Sequence, residues 1–206
     1  MIRPFMVVVD TGHAWFLINY RTGCTELRTC PPDYRRLPTV RLTQQPHSWG
    51  TGETTAVLPP PGRSSLFWRL LCLPTFAVVT TALFLGTRRG RLGRLTALAC
   101  SGRRLPPAPI PRVRAALDSV RSVSACLPGR WACLEQSVAV AFMLALTGRR
   151  AEWRHGLATD PIRLHAWIAD CDGNPVGEGP DIGAYTPIHS TDGPGPVPGP
   201  TLENSL

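Results

Sequence analysis

Lysine is absent from the chain. All 22 basic residues other than the five histidines are arginines, and against 14 acidic residues they leave a formal net charge of +8. Arginine alone reads first as the codon preference of a GC-rich genome, and second as a surface for acidic partners. Aromatics are missing from the densest basic stretch, Arg88, Arg89, Arg91, Arg94, Arg103 and Arg104. Single-stranded nucleic acid needs stacking platforms between its cationic contacts, so nucleic acid is not an expected partner. No Cys-x-x-Cys occurs, and the seven cysteines are odd in number and irregularly spaced. That pattern speaks against a zinc site and against a disulfide framework. Free thiols suit a reducing cytoplasm, which is the expected location. Residues Met1 to Phe5 lack the charged-then-apolar order of a secretory signal. No P-loop occurs, so no directly bound nucleotide is expected.

What is present is enough for a core. The 206 residues are 43% hydrophobic, which suits one ordinary domain or two small ones. Residues 6 to 29 read as paired strands, with Met6–Val9 and Ala14–Ile18 as β-branched or aromatic runs between turns at Asp10-Thr11-Gly12 and Arg21-Thr22-Gly23. Residues 31 to 62 are rich in proline, glycine, serine and threonine, and Pro59-Pro60-Pro61-Gly62 places a boundary at 62. Residues 66 to 100 are helical in character. The run from Leu70 to Gly86 is uncharged and just long enough to raise a membrane span. Pro74 divides it and threonines dilute it, so a buried helix, or two short ones, is preferred over membrane contact through 70–86.

Val113, Leu117 and Val120 fall at helical spacing, and a further helix follows the Leu127-Pro128-Gly129 turn. That helix starts near Trp131 and carries Cys133. Gly148 ends it. Strands are expected at about 152–158 and 163–170, joined through Thr159-Asp160-Pro161. Asp172-Gly173 then turns the chain into a third strand reaching about Gly179. Residues 193 to 206, where glycine and proline alternate, read as a disordered tail. The expected architecture is α+β. A Cys-bearing helix packs on an antiparallel His-bearing sheet over residues 63–192, with a small β-rich region over 1–62.

Cys133 and His165 are the candidate reacting pair. A thiolate is the nucleophile, and an ordinary cysteine is only slightly ionised at neutral pH. A helix N-terminus offers unpaired N–H donors and partial positive charge; an adjacent imidazolium adds a full charge. A two-residue turn at Asp172-Gly173 pairs Ala169 with Val176 and Trp167 with Glu178. This puts Glu178 on the His165 face and Asp181 on the other. Glu178 is therefore the first choice for the acid that orients His165. A three-residue loop would flip the parity, which keeps Asp181 as the alternative. His155, on the neighbouring strand, is placed to line the same cleft.

The stretch from about Arg112 to Gly179 resembles the lasso-peptide maturation proteases, which are transglutaminase-like cysteine proteases. The matching text is Cys133-Leu134-Glu135-Gln136-Ser137-Val138-Ala139, then Gly156-Leu157-Ala158-Thr159-Asp160-Pro161-Ile162, then His165-Ala166-Trp167-Ile168, then Asp172-Gly173 and Gly177-Glu178. The resemblance implies a papain/transglutaminase-like fold, with Cys133 as nucleophile and His165 as general base. It also implies an acid about a dozen residues past the histidine. Glu178 stands there, where the family usually has Asp.

The activity implied is removal of the leader from a ribosomal precursor peptide. A partner cyclase resembling asparagine synthetase then closes the macrolactam, and any ATP dependence would pass through that partner. Many such proteins carry a small leader-binding domain that works by β-augmentation. Residues 1–62 are similar to its strands, with Trp15, Phe16, Leu17 and Ile18 as the expected precursor contacts. Two other readings stay open: a non-catalytic precursor carrier, and a thiol transamidase or amidohydrolase of the same fold.

Overall fold

The computed structural model describes residues 5–31, 37–42, 62, 65–128, 131–159 and 162–196. The proline-rich boundary before residue 62, the Asp160-Pro161 link and the tail beyond 196 lie outside the described residues.

The fold is α+β. The N-terminal strands are β1 (Met6–Asp10), β2 (Trp15–Asn19), β3 (Cys24–Arg28) and β4 (Thr39–Arg41). They form one sheet in the order β3-β2-β1-β4, antiparallel except for β4, which runs parallel to β1. The turn glycines Gly12 and Gly23 take φ of 84° and 69°, a conformation that a side chain disfavours. Four helices follow: α1 (Leu66–Phe84), α2 (Arg91–Ala99), α3 (Ile110–Ser124) and α4 (Cys133–Leu146). The second sheet has strands β5 (Glu152–Thr159), β6 (Ile162–Ala169), β7 (Thr186–Ser190) and β8 (Gly193–Pro194), in the order β6-β5-β7-β8 and wholly antiparallel.

Helix α4 is apolar nearly all round because it is central. It packs on α1, α2, α3 and β6, and Val138 to Ala141, Met143 and Leu144 are buried. Gly148, at φ 71°, turns the chain out of the helix, and the Arg149 N–H donates back to the Leu144 carbonyl at 3.0 Å. A second apolar layer joins the two sheets. Val7, Val9, Phe16, Ile18, Tyr20 and Val40 pack with Leu157 and Ile188. Each such side chain contributes about 1.5–3 kcal/mol on burial, so the N-terminal sheet is fixed to the second sheet rather than tethered by a linker.

Three expectations fail. No strand follows the Asp172-Gly173 turn; residues 174–179 make a single bridge, Ala169 to Pro175, and the sheet's third strand is β7 on the far side of β5. The tail does not begin at 193. A turn at Thr191-Asp192 folds Gly193 and Pro194 back onto β7, and the Gly195 N–H donates to the Ile188 carbonyl at 3.0 Å. Proline is tolerated there because β8 is an edge. Finally, α1 is one continuous helix through Pro74, and it is not buried: of its residues only Cys72, Thr75, Phe76 and Val79 are.

Candidate active site

Cys133 is the first residue of α4 and partly exposed. The residue before the helix is Ala132, whose side chain offers no capping acceptor, so no cap takes up the first-turn N–H groups, and the Leu134 backbone hydrogen-bonds to the Cys133 thiol. Entry to the helix is held from both sides. The Trp131 ring meets Phe76 of α1 edge-on at 4.4 Å, and Gln136 Nε2 donates to the Trp131 carbonyl at 3.3 Å and to Ser124 Oγ at 3.1 Å. Ser137 anchors the helix to the sheet by accepting from Trp153 Nε1 at 3.0 Å.

His165 lies on β6, opposite Gly156 of β5. The Trp167 ring stacks beside the imidazole, with centroids 5.9 Å apart and planes 12° from parallel. Gly156 leaves room for that ring, since a Cβ there would come within 2.7 Å of it. The Tyr185 ring closes the other side, its centroid 5.1 Å from that of His165. The imidazole Nε2 lies 3.0 Å from Glu178 Oε2, and the Cys133 thiol is the other side chain that hydrogen-bonds to the ring.

Glu178 is itself held. Its Oε1 accepts from Arg121 Nη2 of α3 at 3.2 Å, while Arg121 Nη1 donates to the Gly177 carbonyl at 2.8 Å. Both side chains are about nine-tenths buried, 10% and 9% exposed. Gly177 takes φ 71°, and a Cβ on it would stand 2.5 Å from Leu117 Cδ2. Glycine is therefore needed twice at this position, for the turn and for the close approach.

The electrostatics follow from this chain of contacts. Burial raises the Cys133 thiol pKa, but the His165 hydrogen bond, the Ala166 and Leu134 backbone groups and the imidazolium charge outweigh it, and the net shift is downward. Burial likewise works against a charged His165, yet Cys133 and Glu178 carry it up to about 9. The two shifts belong to one coupled pair, and both favour the thiolate–imidazolium form over the neutral thiol and imidazole. Burial raises the Tyr185 phenol, as do the nearby Asp181, Cys133 and Glu178 charges, so it stays protonated beside the site.

The structure thus brings Cys133, His165 and Glu178 together. Asp181 is not the partner of His165; it sits in the short helical turn at Pro180–Ala184. Glu178 arrives by a different route from the one the sequence suggests. The loop after β6 has three residues, with Asp170 paired to Asn174 and Val176 to Ile168. Strict alternation would then turn Glu178 away from His165. The positive φ at Gly177 breaks the alternation and returns it.

His155 does not line the cleft. It is buried, stacked on Trp153, and bonded through Nδ1 to Tyr20 Oη at 2.7 Å. The proposed precursor contacts also fail as placed: β2 is paired on both edges, and Phe16, Leu17 and Ile18 are buried. The accessible strand is β3, exposed at every residue.

Arg121 and Tyr185 are the site residues that sequence reasoning missed. A signal existed for Arg121. It continues the Val113–Leu117 stripe by another four residues, and a charge on a core-facing stripe needs a partner. Tyr185 had none.

No curated protein and no solved structure matches the chain. A family model does match, over residues 75–190, and it is described as transglutaminase-like superfamily. That superfamily includes thiol proteases and transglutaminases, and the matched span contains α4, β5, β6, β7 and each residue of the Cys–His–Glu–Arg chain. The chain belongs to the transglutaminase-like superfamily.

Proposed function

We propose that the protein is a leader peptidase of lasso-peptide biosynthesis. The observation that carries this reading is the thiol–imidazole–carboxylate series Cys133, His165 and Glu178, anchored by Arg121 at one end and open to solvent at the other. The motif order around Cys133, Gly156, His165 and Gly177-Glu178 supports the narrower assignment to leader removal.

In the proposed reaction the Cys133 thiolate adds to the amide carbonyl at the leader–core junction, forming a C–S bond. In this reading the uncapped first-turn N–H groups of α4 would supply the donors for the developing oxyanion. The His165 imidazolium gives its proton to the departing nitrogen as the C–N bond breaks. The core leaves with a free amine, and the leader stays on the enzyme as a thioester. Neutral His165 then takes a proton from water, whose oxygen attacks the thioester. The C–S bond breaks, the thiolate and imidazolium are restored, and the leader departs as a carboxylic acid that loses its proton to solvent. Glu178 keeps the imidazole oriented and balances its charge.

A partner cyclase resembling asparagine synthetase would take the freed core peptide, and the ATP requirement would belong to that partner. Among the described residues strand β3 has one unpaired edge, and it is the surface of the N-terminal sheet best suited to add a leader strand. Leader peptide added to the full-length protein should then slow hydrogen exchange across Cys24–Arg28.

The direct test is to incubate purified protein with precursor and cyclase and to weigh the products. Expected are a freed leader with the wild type and intact precursor with Cys133→Ala. Normal leader removal by Cys133→Ala would end the proposal.

A further inference from the structure

Helix α1 has two faces, and among the described residues only one has a partner. Cys72, Phe76 and Val79 recur at helical spacing and belong to the core shared by the helices. The opposite face carries Leu66, Phe67, Leu70, Leu73, Val78 and Phe84, between 39% and 80% exposed. Between them on that face lie Pro74, Ala77 and Thr81, all exposed. Arg69 is the helix's single charged residue. The helix has a mean hydropathy of 1.7 over its most apolar window, of which 22% is buried. A helix on the surface of a soluble domain turns polar residues outward. Here the outward face is the apolar one, and it runs about 28 Å at 1.5 Å per residue. A continuous apolar surface of that extent marks a contact face.

The charge around this helix says what kind of contact. From residue 54 to residue 117 the chain has ten arginines and neither aspartate nor glutamate. Arg88 and Arg89 stand exposed just past the end of α1, and the Arg112 guanidinium lies 5.8 Å over the Trp68 ring near its start. An apolar stripe with arginines at its ends matches a surface of anionic headgroups over an acyl layer. A second copy of the chain fits badly, because it would bring its own arginines against these. Spanning a bilayer would tear Cys72, Phe76 and Val79 from the core, so the helix can only lie in the plane of the interface.

We infer that α1 lays its exposed face into the surface of an anionic bilayer and holds the protein there as a peripheral membrane protein. The contact reaches the reacting site through one aromatic pair, Phe76 of α1 against Trp131, two residues before Cys133. The inference rests on the face and its charge, independently of the peptidase reading.

Vesicle co-sedimentation of the full chain tests it. One set of vesicles contains phosphatidylglycerol in phosphatidylcholine; the other contains phosphatidylcholine alone. The wild type should sediment with the anionic set at least tenfold more than with the neutral set, and less as salt rises. Leu70→Glu/Leu73→Glu should abolish sedimentation while leaving the circular dichroism spectrum and melting temperature unchanged, since both positions are exposed. Arg88→Ala/Arg89→Ala should weaken it several-fold. The inference is overturned if the wild type stays in the supernatant with anionic vesicles, or if Leu70→Glu/Leu73→Glu sediments as well as the wild type. It is equally overturned if analytical ultracentrifugation shows a dimer, dissolved by that variant, and no vesicle binding.

Discussion

Three histidines of one sheet sit within two registers of each other and have opposite charge states. His165 pairs with Gly156, while His155, the neighbour of that glycine, pairs with His189 across to β7. His165 is raised to about 9. His155 is lowered to about 3 and His189 to about 4, in both cases chiefly by burial. Burial acts in the same direction on all three, so it cannot be what raises His165 above its ordinary value. The difference is the company each keeps. His165 has a thiol on one side and an arginine-anchored carboxylate on the other. His155 has a neutral phenol, Tyr20, and another histidine. One region is built to hold a proton and pass it on; the other uses imidazole as a neutral wedge between two sheets.

The largest expected effect comes from removing the anion that makes His165 different. Glu178→Ala leaves Arg121 buried without its partner and should cost about 3–5 kcal/mol in denaturant unfolding. It should also lower the proposed leader cleavage by about 10²–10⁴-fold. Glu178→Gln keeps the volume, so it should recover part of the stability but not the activity. Were Glu178→Gln fully active, the carboxylate would have no part in the site.

Gly177→Ala sharpens the same point without removing a charged group. The added methyl meets Leu117 and the Arg121 guanidinium and disfavours the positive φ, at a cost of about 1–3 kcal/mol. The displaced Glu178 should let the His165 pKa fall toward its ordinary value, as read by NMR titration. A His165 still titrating near 9 in this variant would show that Gly177 does not aim the carboxylate.

On the neutral side, Tyr20→Phe strips His155 Nδ1 of its bonded partner and should cost about 1–3 kcal/mol. Cleavage by the folded variant should be unchanged.

In the pH dependence of stability the two regions act in opposite senses. His155 and His189 have lowered folded pKa values. Their contribution is complete above the ordinary value of 6.5 and is lost as pH falls toward about 4 and then 3. His165 has a raised folded pKa, so its contribution is complete below 6.5 and is lost as pH rises through about 9. His189→Phe should flatten the acid limb and leave the alkaline limb alone, as read from melting temperatures across the pH range. An unchanged acid limb would mean that His189 takes up its proton as readily folded as unfolded.

How much of this could be read from the sequence depends on how local each feature is. Helix α4 and strand β6 announce themselves through apolar runs, a glycine stop and β-branched residues, so Cys133 and His165 were placed on the correct elements. The acid was chosen through a hairpin register that the structure does not have. The register depends on whether Cys171-Asp172-Gly173 is two or three residues of loop, and one residue reverses the face of everything after it. The motif spacing pointed to Glu178 independently, and Gly177 made the structure agree. The strands of residues 6–28 were legible, but not that they pack on the second sheet. That interface joins Phe16 and Ile18 to Leu157 and Ile188, and no local pattern records so long a separation. For the same reason β2 looked like a free precursor-binding strand when it is an interior one. Helix α1 misled through composition alone: its apolar residues suggested burial, and only the packing shows that most of them face outward.

The account stands or falls on the ionisation of one sulfur. Cys24, Cys30, Cys126 and Cys171 are exposed free thiols in the same molecule and serve as internal references. Alkylation by iodoacetamide should be followed residue by residue by peptide mass mapping from pH 5 to pH 10, in the wild type and in His165→Ala. The expected result is that Cys133 alone reacts readily near pH 6, and that His165→Ala returns its profile to that of the reference thiols. A Cys133 profile that matches the reference thiols in the wild type, or is unmoved by His165→Ala, would contradict the account.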